Sequence, residues 1–427
     1  MQWMLKTVGW MIVACPAAHA QDVGPASVSM ERPMYKTIRI DNGHWFNGKG
    51  FDKRTVYIMN GSFTSTPPAQ VDTTIDLGGQ YVLPPLAEAH NHNIGTGNPA
   101  MDRAAVERFM KAGVFYVKIP GNLPLSEEAK MQLGINRPGG PDVMFANGNI
   151  TATGGHPIRL MESLLSRGYS LGETKESLKN KRYFCIDKEE DIEATWPLIM
   201  RNKPEFIKVL IANSDEFEKN KDDTSIWYKA MNPKLLAPLV KKAHSEGFTV
   251  TCHINNAADL TVALQAGVDE IAHMPRMMSG IAYVPISQKQ AQMLARQKVA
   301  VITTLAVSLF QGGTIKREDH ELAKERQKAD LKMLKENGAT IAIGSDDPPD
   351  TSVKEVFYLK ELGVFSDLEL IKMWTEVTPS VIFPKRKIGK LMDGHEASFI
   401  TVKDDPTKDL EQLKNIIMRC KQGVIIH

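Results

Sequence analysis

Short uninterrupted apolar runs alternate along most of this chain with longer stretches in which apolar positions recur every three or four residues. The runs at 114–118, 142–146, 205–211, 248–253, 270–273, 300–304 and 340–345 read as strands, because a strand covered on both faces needs no polar side. The stretches at 101–112, 233–245, 257–266, 288–297 and 321–337 read as helices with one apolar face, and Gly113 and Gly247 mark where the first two stop. Ahead of them, an apolar run from Tyr81 ends in His90-Asn-His92 and counts as the first strand. Eight strand and helix units in alternation predict a parallel sheet closed as a (β/α)8 TIM barrel.

The two ends of the chain carry a different pattern. Residues 35–76 read as short strands separated by Asp41-Asn-Gly43 and Asn60-Gly61, sequences that favour hairpins. Beyond a last helix at 367–377, residues 387–402 return to strand-like composition. The expectation is an α/β protein with the barrel over 81–387 and a small β-sandwich domain built from both chain ends, 28–80 and 388–427.

Composition narrows the class. A chain of 427 residues, 42% of them hydrophobic, can bury a core of this size. Lys and Arg number 52 against 50 Asp and Glu, and the resulting charge of +2 is not gathered into a basic stripe, which argues against a nucleic-acid partner and selects no substrate. A homo-oligomer stays open.

Lys6, the apolar stretch 8–14 and then Ala18-His-Ala20 have the order of a secretory signal peptide. Residues 1–20 are therefore expected to be removed and the protein exported, to the periplasm or beyond the cell; Ile12-Val-Ala-Cys15 offers lipoprotein processing at Cys15 as the alternative. No later stretch is long and apolar enough to span a bilayer. Cys185, Cys252 and Cys420 remain, an odd set without Cys-x-x-Cys spacing, so buried thiols are expected in place of a disulfide framework.

The chemistry begins with His90 and His92. Alternate residues of an extended strand share a face, so these two side chains can grip one ion. Catalytic groups in such barrels sit at the carboxyl ends of strands, where His253, His273 and Asp346 also fall. Four imidazoles and a carboxylate at one rim suit a divalent transition metal with an open coordination position. Lys208 stands inside Phe206-Ile-Lys-Val-Leu210, where an ammonium is costly to bury. Two answers are equally open: reaction with carbon dioxide to a carbamate able to bridge two metals, or an ion pair with a carboxylate such as Asp346. Lys118 is a second, weaker candidate for the same role. Arg159, Arg276 and Tyr283 lie just beyond strand ends, where they could hold a substrate carboxylate.

With the strand unit leading to Val82-Leu-Pro84 and with Gly344-Ser-Asp346, this ordered set resembles the metal-dependent amidohydrolase superfamily over nearly all of the chain after the signal segment. Within it, the chain is most similar in character to bacterial prolidase-like dipeptidases and ochratoxin-type amidases. The resemblance implies that His90, His92 and Asp346 hold a buried metal, that His253 and His273 hold a more exposed one, and that a carboxylated Lys208 bridges a pair of zinc ions. It also implies that His156, in Thr153-Gly-Gly-His156, contacts substrate and that Asp346 carries the proton. Pro85 replaces the usual glycine, Glu88 the common aspartate two residues before the first histidine, and Asn93 follows the pair. The implied activity is an exported hydrolase that cleaves an amide C–N bond of a small substrate, such as a dipeptide or N-acyl amino acid, with metal-activated water. A deaminase or lactonase on the same barrel, or a catalytically silent binding protein, are the alternatives.

Overall fold

A computed structural model describes residues 36–223, 229, 231–275, 283–309 and 315–426; the expected signal segment, Cys15 and Arg276 lie outside the described residues. Within them, the alternating part of the chain forms two parallel sheets. One places Leu86–Glu88, Val114–Ile119 and Asp142–Phe145 side by side. The other runs in the order Tyr183–Cys185, Asn149–Thr151, Ile207–Leu210, Val250–His253, Glu270–Ile271, Ala300–Ile302 and Ile341–Ala342. Val114–Ile119, Ile207–Leu210 and Val250–His253 are buried throughout, as runs without a polar side require. Backbone bonds join the three-stranded sheet to the other at both of its own edges: Glu205 N donates to Phe145 O at 2.9 Å, and Ala89 N to Ile343 O at 2.8 Å.

Strands stand at all eight expected places, and two more appear. Asn149–Thr151 and Tyr183–Cys185 are three residues each, and the first follows a break at Asn147 and Gly148, whose φ angles are 51° and 132°. Segments so short leave no periodic signal. The first expected strand divides: Tyr81–Leu83 joins a different sheet from Leu86–Glu88, and Pro84-Pro85, which has no N–H to offer a ladder, marks the exchange.

The helices are placed by caps and apolar stripes. Asn98 accepts from Ala100 N and Met101 N to start Pro99–Lys111. Leu236–Ser245 buries Leu236, Leu239, Val240 and Ala243, an i, i+3, i+4, i+7 stripe, and leaves His244 exposed against Asp269. Asp259, in the capping box of Ala257–Ala266, also accepts from Asn213 N, Ser214 N and Asn255 N. One buried carboxylate thus pins the loop behind His253 to the loop behind Ile207–Leu210. The last expected helix is α-helical over Asp367–Lys372 and then makes a π turn, Met373–Val377.

Both chain ends share one eight-stranded sheet, along the path Val424–Ile426, Met418–Lys421, Phe399–Val402, Tyr81–Leu83, Ile38–Phe46, Phe51–Met59 and Ser62–Thr64, with Thr73–Asp76 also against Ile38–Phe46. The expected sandwich is thus one hydrogen-bonded sheet. Its aromatic centre is Trp45, whose ring lies 5.9 Å from Phe63 and 5.7 Å from Phe399. Asn60-Gly61 makes the expected tight turn, both residues at positive φ. Asp41-Asn-Gly43 does not turn: the strand passes through it with a register shift between Ile40 and Gly43, and Asn42 absorbs the extra residue at φ 56°.

An ionic network fastens this sheet to the parallel strands. Lys421 Nζ, fully buried, is 2.6 Å from Asp142 Oδ1, and Arg386 Nη2 is 2.7 Å from Asp142 Oδ2 and 2.6 Å from Glu396. Burial pulls the Lys421 ammonium below its usual pKa and Asp142 opposes the fall. Removing one partner leaves the other charge buried and alone. Asp142→Ala is expected to destabilise the fold by about 3–5 kcal/mol, and pairing Asp142→Leu with Lys421→Met to recover most of that loss, both read from urea unfolding.

Candidate metal centre

The end of the strand Leu86–Glu88 is held against the end of Ile341–Ala342 by side chains that lie between the candidate ligands in sequence. Glu88 is fully buried and takes Ser345 N at 2.8 Å, Ser345 Oγ at 2.7 Å and His90 N at 3.2 Å. Burial pushes its carboxyl up to about 8, against the lowering effect of those donors. Asn91 donates to Ser345 Oγ and to the carbonyls of Asp347 and Asp350, and accepts from His92 N at 2.7 Å. Gly344 lies so close to His90 that a Cβ there would meet His90 N at 2.9 Å and Ile302 Cγ2 at 2.6 Å. Asp346 follows at φ 50°, a left-handed conformation uncommon for a residue with a Cβ, and its N–H donates to His90 O at 2.8 Å.

This stitching brings three donors together. His90 Nε2 and His92 Nε2 are 3.1 Å apart, and Asp346 Oδ1 lies 3.6 Å from the first and 3.4 Å from the second. One ligand atom from each falls within 4.8 Å of the others. Donors bound at about 2.0–2.2 Å to one ion are spaced this way, so the set fits a divalent metal in both chemistry and spacing. Burial, helped by the charge of Lys208 and opposed by Asp346, lowers the pKa of His92 and favours the neutral imidazole that a metal needs. Its Nδ1 faces Gly121 O at 3.2 Å, which orients the ring.

His253 and His273 stand beside this group. His273 Nδ1 is 3.7 Å from Asp346 Oδ2 and 2.9 Å from Thr304 Oγ1, while His253 Nε2 is 3.1 Å from Asn255 Oδ1. Ring centroids step from His92 to His90 at 5.0 Å, to His273 at 4.3 Å, to His253 at 4.8 Å and to His156 at 5.2 Å. The imidazoles form one continuous row. A cavity of about 320 Å³ opens on them, lined by His92, His156, Lys208, His253, His273 and Asp346, with Leu160, Met161 and Leu164 of the helix Ile158–Leu165 as an apolar wall.

Lys208 is thus buried on its strand yet lines the cavity, as a bridging or charge-pairing group must. Lys118 is used otherwise. Its Nζ lies 2.5 Å from Glu270 and 3.0 Å from Thr251 Oγ1, a buried ion pair that answers its charge away from the donors. Tyr283 is not among the residues that line this cavity; its hydroxyl bonds the buried Asp330 of His320–Glu336. Arg276 is among the residues not described. Asn91 and the cavity-lining Asn149 and Arg182 went unnoticed in the sequence; Glu88 was marked only as a departure from the usual aspartate and Ser345 only as part of Gly344-Ser-Asp346, neither with a role.

No family model matches the chain. Over 286 residues it is 24% identical to Ochratoxinase of Aspergillus niger, an alignment that takes in 64% of this chain and 56% of that protein. The chain therefore spans about half the length of the curated relative it matches. A solved Xaa-Pro dipeptidase with bound methionine in the active site superposes with a TM-score of 0.70 at 17% identity, covering 92% of this chain and 100% of that one. The structure of A. niger ochratoxinase gives 0.70 at 17% identity over 91% and 95%, and a putative prolidase from Bifidobacterium longum 0.70 at 17% over 92% and 95%. The fold is that of the amidohydrolases. In sequence and fold the chain resembles the prolidase-like and ochratoxinase-type enzymes.

Glu88 holds His90 N and Ser345 and is not one of the three donors. Glu88→Ala is expected to weaken metal retention about 10–100-fold in a chelator competition while the chain stays folded by circular dichroism. Retention equal to the wild type would remove the positioning role.

Proposed function

We propose that this protein is an exported metal-dependent hydrolase that cleaves an amide C–N bond in a small substrate, such as a dipeptide or an N-acyl amino acid. The observation that carries the reading is the three-donor group of His90, His92 and Asp346, the last two of which line a cavity with Lys208, His253 and His273. The names of the relatives, a dipeptidase and an ochratoxinase, agree with it. In this reading the bridged sheets make a closed (β/α)8 barrel, and the sheet of both chain ends is a companion domain.

His90, His92 and Asp346 would hold one divalent ion, His253 and His273 a second, and a carboxylated Lys208 would join them, with zinc suited to this nitrogen and oxygen set. A metal there supplies a Lewis acid for the amide carbonyl and water activated at neutral pH. Asp346, already against both imidazoles, accepts the proton of the attacking water and returns it to the leaving nitrogen. His156, at the far end of the imidazole row, donates a hydrogen bond to the substrate carbonyl or carboxylate. Leu160, Met161 and Leu164 exclude water from the apolar part of the substrate.

Metal analysis of the purified protein is expected to find two ions per chain, and a panel of dipeptides, N-acyl amino acids and lactams to find turnover. Asp346→Asn should keep most of the metal and lose about 10²–10⁴-fold in kcat; full activity would end the proton-transfer assignment.

Intact mass under gentle conditions tests two further parts of the reading. An exported chain begins at Gln21, and a carboxylated Lys208 adds the mass of one carbon dioxide that acid removes. A Lys208→Ala protein that keeps both ions and full turnover would exclude the bridge.

A further inference from the structure

The loop behind the strand Ala300–Ile302 is held by a buried carboxyl group that the metal reading leaves unused. Thr304 has its Oγ1 2.9 Å from His273 Nδ1, and its N–H donates to Gly344 O at 3.0 Å. Its φ of 49° is left-handed, a conformation that a β-branched residue keeps only where its surroundings over-determine it. The next two residues supply that constraint. Leu305 N, at 2.9 Å, and Ala306 N, at 2.8 Å, both donate to the carboxyl of Glu355, which is fully buried in the first turn of the helix Ser352–Leu362. Burial raises that carboxyl to about 7, against the lowering effect of these donors. A neutral side chain would be buried there at lower cost, so the carboxyl calls for a role beyond filling space.

We infer that Glu355 is a positioning residue for His273: through the Leu305 and Ala306 N–H groups it fixes Thr304, and the Thr304 hydroxyl fixes the imidazole, so that retention of the second ion depends on a side chain that touches no ion. This rests on the two-ion reading above and deepens it. The hydroxyl engages Nδ1, and Asp346 Oδ2, 3.7 Å from the same nitrogen, also favours a proton there. Nε2 is then the nitrogen left with a lone pair for a metal. Neither the Glu355 bonds nor the Thr304 hydroxyl end on His90, His92 or Asp346, so the effect belongs to one ion of the two. A purely structural role is the rival. The same helical turn carries Lys354 onto Asp347 at 2.7 Å and has Ser352 Oγ accept from Trp374 Nε1 at 2.9 Å, and a helix that merely shifted would disturb both ion positions together.

The test uses the full chain as wild type, Thr304→Ala, Thr304→Ser and Glu355→Gln. Zinc is titrated in against a chelator, and the metal-free proteins are followed by NMR of isotope-labelled imidazoles. Thr304→Ala and Glu355→Gln are expected to weaken one of the two ions about 10–100-fold and leave the other as it was, while Thr304→Ser keeps both. Where Glu355→Gln does not fold, Glu355→Asp, which keeps the charge and shortens the reach, is expected to give the same loss of one ion. Without metal, a slowly exchanging His273 Nδ1–H signal, assigned by its absence from His273→Ala, is expected in the wild type and Thr304→Ser, to vanish in Thr304→Ala and to weaken in the Glu355 variant. Two ions weakened alike, neither weakened, or a Thr304→Ser protein that behaves as Thr304→Ala would overturn the role. A wild type that retains one ion or none removes the two-ion reading instead. The His273 signal then decides the positioning alone: dependent on Thr304 and Glu355 it stands, absent or indifferent to them it falls.

Discussion

A carboxyl group sealed from water joins residue 88 to residue 345, 257 positions apart in the chain. Without donors, such a group would cost several kcal/mol to bury, so the strand ends must bring it hydrogen bonds or not meet at all. Ser345 brings two and His90 the third. Once those bonds are made, the direction of the His90 backbone is settled and Asp346 is carried over it in a left-handed turn. The metal donors are the visible product of this join. The geometry that selects them belongs to their neighbours.

Two interior lysines show how register turns the same residue type to different ends. Lys208, Thr251 and Glu270 are neighbours across three adjacent strands. Lys118 reaches into this row from the other sheet, meets Glu270 and Thr251, and has the Phe206 ring 4.1 Å away, so its charge is answered inside the protein. Lys208 instead opens on the cavity with the imidazoles, where its charge acts on His92. Local sequence ranked Lys208 above Lys118 but did not say how either charge is answered. Each sits in an apolar run, and the pairing of strands decides what it meets.

That contrast marks how far the primary structure could be read. Periodicity placed the eight strands, and the end of a strand is where a histidine or aspartate has to be noticed, so His90, His92, His253, His273 and Asp346 could be collected before any coordinates. Lys208 stood out by the cost of burying it. Residues whose importance lies in a contact across space carried no such mark. Asn91 reads as a spacer between two histidines, and Arg182 as one more cation in the polar stretch Lys179-Asn-Lys-Arg182. Pro84-Pro85 was visible, yet a continuous apolar run hid the passage from one sheet to another. For Tyr283, a position just past a strand did not disclose that its hydroxyl meets Asp330.

The sheet built from both chain ends has a consequence for how the protein is made. Tyr81–Leu83 pairs on one side with Ile38–Phe46 and on the other with Phe399–Val402, whose own neighbour is Met418–Lys421. The nascent N-terminal strands therefore leave the ribosome with an open edge that stays open until Phe399–Val402 has been made. Contacts so distant in sequence form late. Until then an unpaired strand edge has to be kept from pairing with the wrong partner.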